Sequence, residues 1–190
     1  MPLVSVWSLN LQVGVSNLDG FQHSAFTARL GGAYEANLTN RWSIAPEVGI
    51  FLPGNRVVIT DNDPTTELTR EVSHTRFISG DLQIPLVFRP YTKLALVAGP
   101  YCAYRFYVGR SLQTEFVTSN GAGQNQFSFD DTFLYEQLDW GIRIGIEYQI
   151  FDAIAATLTF GQGLRQLSVL NNFGVSQRMQ TLMLGIRWHL

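Results

Sequence analysis

The chain has 190 residues, a formal net charge of −2, 15% charged side chains, 13% aromatics and 17 glycines. The length suits one domain, read here as residues 1–190, and the near-neutral charge removes any electrostatic case for a nucleic-acid partner. No run approaches the roughly 18 apolar residues of a membrane-spanning helix, which excludes helical insertion, whereas an alternating strand crosses a bilayer in about 9 to 11 residues.

The opening MPLVSVW lacks the charged start and apolar core of a signal peptide, so an exported protein is expected to begin here in mature form behind an added Met1. Eight segments then alternate with the period of two that sends successive side chains to opposite faces of a strand. From Val4 to Val15, Trp7, Leu9, Leu11 and Val13 oppose Ser8, Asn10, Gln12 and Gly14. From Ala25 to Leu38, Phe26, Leu30 and Tyr34 oppose Arg29, Gly31 and Glu35. Trp42 to Leu52 sets Trp42, Ile44, Val48 and Ile50 against Ser43, Glu47 and Gly49, and Ile78 to Phe88 sets Leu82, Ile84, Leu86 and Phe88 against Asp81 and Gln83. The fifth, Leu94 to Val108, is the least regular: its polar-side face would carry Val97, Tyr101 and Tyr107 beside Gly99 and Arg105. DWGIRIGIEYQI, Asp139 to Ile150, confines Asp139, Arg143 and Glu147 to one face and Trp140, Ile142, Ile144, Ile146 and Tyr148 to the other. The seventh sets Ile154, Leu158 and Phe160 against Thr157, Thr159 and Gly161; the last sets Leu184, Ile186, Trp188 and Leu190 against Thr181, Gly185, Arg187 and His189.

Connections after the second, fourth and sixth segments are tight turns at TNR, PYTK and FD, while those after the odd segments are longer and polar. Such sorting of loops to opposite ends is the habit of outer-membrane barrels, with short periplasmic turns and longer extracellular loops. The aromatics agree: Trp7, Trp42, Phe88, Tyr148 and Trp188 form a girdle near the short turns, and Tyr104 and Trp140 an upper one.

A soluble barrel would have to pack the Trp, Ile and Leu of eight strands into a lumen just wide enough for ordinary side chains. The inverse assignment puts glycines, Ser and Thr inside, with Arg29, Arg105, Arg143 and Arg187 facing Glu35, Glu47, Asp81, Asp139 and Glu147. Four cations against five anions nearly cancel, and burial demands that they pair. The fold read from the sequence is therefore all-β: an eight-stranded antiparallel up-and-down transmembrane β-barrel. A soluble lipocalin-like ligand carrier is the alternative.

These residues resemble the PorT-like, porin-family outer-membrane β-barrel proteins of Bacteroidetes-type bacteria. The likeness rests on IAPEVGIFL, LQIPLVFRPY, LVAGPYCAYRF, DWGIRIGIEYQI and LMLGIRWHL in that order. It implies an eight-stranded barrel in the bacterial outer membrane, most of whose relatives lack an assigned activity. The terminus also resembles the signal read by the barrel-assembly machinery, with Gly185, Trp188 and Leu190 in its places; Leu190 replaces the usual Phe, and Met183 stands where a polar residue is usual.

Candidate chemistry is sparse. Cys102 has no partner for a disulfide and is expected to be a buried spectator thiol. His23 and His74 lie in loops without the further ligands a metal needs, and His189 is expected to face periplasmic water. Asp61, Asp63 and Glu67 offer oxygens to calcium but lack the turn glycine of a calcium loop, so no metal and no cofactor is expected. Ser73 and His74 are adjacent and so face opposite ways, which argues against a nucleophile and base. Phe116, Phe127, Phe129 and Phe133 make the third long loop the first place to look for a partner, unless they pack on each other. The reading that fits best is a non-enzymatic structural or interaction subunit, with lipid, the assembly machinery and a larger outer-membrane complex as partners. A narrow pore for ions or small solutes, or a lipid-modifying enzyme, are the alternatives.

Overall fold

The structure is a computed structural model that describes residues 6–18, 23–61, 69–118, 121–130, 136–165 and 178–190. Twelve strands are present among them: β1 (Val6–Leu18), β2 (His23–Asn37), β3 (Trp42–Ile44), β4 (Glu47–Leu52), β5 (Gly54–Asp61), β6 (Thr69–Gln83), β7 (Leu86–Tyr91), β8 (Leu94–Thr118), β9 (Gly121–Asp130), β10 (Leu138–Phe151), β11 (Ile154–Gly163) and β12 (Met179–His189). Apart from β9, which pairs with β8 alone, they resolve into eight antiparallel staves, because prolines cut two of them without ending them. Pro46 and Pro53 separate β3, β4 and β5, and Pro85 separates β6 from β7. A proline has no N–H for the ladder but keeps its carbonyl. Pro46 O accepts from Tyr34 N at 3.0 Å, Pro53 O from Phe77 N at 2.9 Å and Pro85 O from Ala45 N at 3.0 Å, so the wall continues through each interruption.

Closure comes from β1, which pairs with β2 on one side and with β12 on the other, from Ser8 opposite His189 to Leu18 opposite Met179. A closed sheet has no free edge, which a bilayer requires because hydrocarbon cannot satisfy unpaired backbone groups. The alternation then decides which solvent each face meets. On β10, Ile144 is 52% exposed while Arg143 is 4% exposed. Large apolar groups outside and ions inside is the arrangement of a barrel in lipid. No helix among the described residues is long and apolar enough to cross a membrane; the strands do so.

In two of the long connections the described residues extend the strands, as their β-prone residues predict. β5 pairs with the first half of β6, that half of β6 pairs with the second half of β8, and β8 from Gly109 to Thr118 pairs with β9. Among the described residues, the β5–β6–β8–β9 side of the barrel therefore rises above the other. Where the two levels meet, the β6–β8 register slips between Ile78 and Ser79, leaving Phe106 as an extra residue on β8. Such a bulge reverses the parity beyond it. Tyr107, expected inside, consequently points outward and is exposed, and Val108 takes the buried place.

Candidate functional site

The lumen holds the network of opposite charges that the sequence singled out, and its geometry builds from the short-turn end upward. Glu35 of β2 accepts from Arg89 Nη2 at 2.8 Å; Arg89 Nη1 and the Ser43 hydroxyl also donate to it. Arg89 was not among the expected lumen charges. It continues the odd-numbered face of Asp81, Gln83 and Val87 past Pro85, so parity alone marks it. With Arg89 included, the ion-paired inner face holds, among the described residues, five arginines (29, 89, 105, 143, 187) and five carboxylates (35, 47, 81, 139, 147).

Above that pair lies a connected network. Glu47 binds Arg29 Nη1 through one oxygen and Arg187 Nη2 through the other at 2.9 Å, and Asn10 Nδ2 donates to it at 3.2 Å. Arg29 Nε reaches Asp81 Oδ2 at 2.9 Å, the atom that also takes Arg143 Nη1, and Arg143 donates to Gln83 Oε1 at 3.1 Å. Arg187 Nη1 sits 2.9 Å from Glu147 Oε2 without the alignment of a hydrogen bond. His189 Nε2 lies 3.6 Å from Glu147 Oε1. His189 is therefore turned toward the lumen, not toward periplasmic water, because odd residues of β12 share the face of Arg187.

Glycines make room for these ions. A Cβ on Gly31 would lie 2.8 Å from Glu47 Oε1, and one on Gly49 would lie 3.0 Å from Asp81 Oδ1. The third tier centres on Asp139, which accepts from the Tyr101 hydroxyl at 3.3 Å and lies 3.4 Å from Arg105 Nη2. The Arg143 guanidinium covers the Tyr101 ring at 4.4 Å and the Phe51 ring at 5.1 Å, while Arg105 covers Phe77 at 5.3 Å. Phe51, Phe77, Val108 and Met179 are all buried at this level, so the interior is ionic below and aromatic and aliphatic above, not polar throughout.

All nine expected lumen charges, Arg29, Glu35, Glu47, Asp81, Arg105, Asp139, Arg143, Glu147 and Arg187, are buried. They fall into the three groups above, with the Glu35 pair apart from the central network. A cavity of about 20 Å³ among Asn10, Gln12, Gln83, Arg143, Glu147 and Arg187 has room for about one water. Outside, Trp7, Trp42, Tyr104, Trp140, Tyr148 and Trp188 are exposed; Phe88 is half-buried, its ring packed at a tilt against Trp42 with centroids 4.5 Å apart. Cys102 is exposed, correcting its expected burial: its apolar face is the outer one.

The remaining candidates do not converge. Ser73 and His74 stand on opposite faces of β6, opposite Leu112 and Ser111. Among the described residues no cluster of three or more His, Cys, Asp or Glu could hold a metal ion. Asp63, Glu67 and Phe133 lie outside the described residues. Phe127 and Phe129 stack at 6.4 Å on β9, and both stay exposed. Gly185 lies where β12 closes on β1, and a Cβ there would collide with the Leu11 carbonyl; Trp188 and Leu190 point outward.

A closed antiparallel barrel with an ionic interior and an apolar exterior is an outer-membrane barrel. Residues 7–169 match the sequence model of the outer membrane protein beta-barrel domain, and the chain belongs to that family, whose place is the bacterial outer membrane. Among solved structures it is similar in shape to the attachment invasion locus protein Ail of Yersinia pestis (11% identity, all of both chains, TM-score 0.48) and to CarO2 of Acinetobacter baumannii (11%, all of both chains, 0.46). Neisserial surface protein A is also similar (10%, 97% of this chain and 96% of that one, 0.44). Comparison with curated protein sequences gives no match.

Proposed function

We propose that the protein is a non-enzymatic member of the PorT-like branch of this family, a plugged barrel that serves the outer membrane as a structural or interaction subunit. The observation that carries this reading is the balanced lumen: five arginines paired with five carboxylates beneath a layer of Phe51, Phe77 and Met179. Moving an ion through it would require breaking pairs of which all but Arg89–Glu35 are buried, and a lone buried charge costs several kcal/mol. The partners proposed are outer-membrane lipid, the assembly machinery through Gly185, Trp188 and Leu190, and a larger complex reached through the exposed β9 rings. The placement of Ser73 away from His74 supports the absence of catalysis.

Planar-bilayer recording tests the proposal. The purified barrel is expected to give no stable unitary conductance; steady single-channel steps would establish the narrow-pore alternative. Loss of an acyl chain from lipid A on incubation with the protein would establish the enzyme.

A further inference from the structure

The outer face of the tall wall changes character as it rises. Cross-strand partners share a face, so the pairings Gly54 with Arg76 and Arg56 with His74 put three basic side chains together on the outside of β5 and β6. Directly below them, Phe26, Leu52 and Ile78 point outward and are exposed, as the last apolar residues of the belt. Beside and above them the same face carries Tyr107 opposite Ile78, Ser111 opposite His74, Ser128 opposite Ser111 and Gln126 opposite Gln113. Two adjoining clefts follow this face. One, of about 750 Å³, joins Phe26, Leu52 and Ile78 to Arg56, His74 and Arg76; the other, of about 530 Å³, runs from His74 and Arg76 to Ser111, Gln126 and Ser128. Tyr107 lines both, its ring lying across Gly109, where a Cβ would sit 2.9 Å from it.

Among the described residues the basic group has no carboxylate beside it: none lines either cleft, and Arg56 Nε is buried without a hydrogen-bond partner. His74 is held below the usual histidine range, first by burial and then by repulsion from Arg56 and Arg76. The arginines 29, 89, 105, 143 and 187 of the lumen are each matched by an acid; here two arginines crowd a histidine at the edge of the hydrocarbon with none among the described residues.

We propose that this face holds a phosphorylated glycolipid of the outer leaflet, its acyl chains on Phe26, Leu52 and Ile78, its phosphate among Arg56, His74 and Arg76, and its sugars along Ser111, Gln126 and Ser128. The order of the three surfaces, apolar, cationic, then hydroxyl and amide, is the order of the three parts of such a lipid along the bilayer normal. Arginine suits the middle place because its fork matches phosphate oxygens in pairs. A free phosphate would use only the middle surface, and a neutral lipid only the lower one.

The test uses the whole protein in phosphatidylcholine nanodiscs, with binding followed by native mass spectrometry for three probes: bisphosphorylated lipid A, the same lipid dephosphorylated, and inorganic phosphate alone. Lipid A is expected to bind, and removal of its phosphates to weaken binding about tenfold or more, as lost charge-assisted contacts would. R56Q/R76Q should show a similar loss, R56K/R76K should recover most of it, and Lys93→Gln in a short turn at the other end should match wild type. Equal binding of the dephosphorylated lipid would overturn the proposal, as would unchanged binding by R56Q/R76Q or displacement of lipid A by millimolar phosphate. Should R56Q/R76Q fail to fold, the wild-type comparison of the two lipids decides alone. None of these outcomes touches conductance, so this inference and the plugged-barrel reading fail separately.

Discussion

The belt of the barrel and the wall that rises above it are made of the same chain in the same sheet, yet they obey different rules. In the belt, β10 keeps Ile142, Ile144 and Ile146 outside and Asp139, Arg143 and Glu147 inside without exception. In the rising wall, the outward residues include Arg76, His74, Ser111 and Gln126, and parity is broken by the bulge at Phe106. Strict alternation is needed only where the two faces meet different solvents. With water on both sides the constraint lapses, and the face becomes available for recognition.

Substitutions sharpen that contrast, and the largest effects belong to the belt. Glu47→Leu removes the carboxylate shared by Arg29 and Arg187. Leaving buried guanidinium groups uncompensated is expected to cost about 3 to 5 kcal/mol in reversible urea unfolding from lipid vesicles; a loss under about 1 kcal/mol would mean that water reaches this level of the lumen. Next comes Ile144→Arg, opposite Phe160 and Ala98 on the lipid side. Near the bilayer midplane it should cost about 2 to 4 kcal/mol by the same measurement. Ile144→Leu should cost well under about 1.5 kcal/mol, and a similar loss from both would place Ile144 in a packed interior.

Gly49→Ala tests the room around the ions. Its Cβ would stand 2.6 Å from the Leu30 carbonyl and 3.0 Å from Asp81 Oδ1, and a crowded interior typically loses about 1 to 3 kcal/mol to such an intrusion. The smallest effect is expected in the rising wall. His74 has a depressed pKa in the folded protein, through burial and the nearby Arg56 and Arg76. As pH falls through the ordinary histidine range, the unfolded chain takes up the proton more readily, so stability drops. His74→Gln should flatten that part of the pH profile of the urea midpoint; an unchanged slope would show that His74 is not its source.

Much of this was legible in the residues. The eight staves, the three short turns and the outward Trp7, Trp42, Trp140 and Trp188 follow from counting by two. So does Arg89, which the same count marks although charge composition alone did not suggest it. Tyr107 is different: no local pattern announces that Phe106 is an extra residue, because a bulge is defined only against the partner strand. Likewise, Cys102 and His189 sit on faces that counting assigns, but whether a face is covered depends on what packs there.

The sequence by itself determined the wall of this protein: which residues share a face, where the chain reverses, and that one face is greasy and the other charged. It could do so because strand periodicity is local, a property of each residue and its neighbours two places away. Only the tertiary structure decided which acid meets which arginine, that Arg187 spans Glu47 and Glu147, and that Arg56, His74 and Arg76 gather on one outer patch with no acid among the described residues. Those contacts join residues from different strands, and their distances are fixed by register and closure, which no single strand contains.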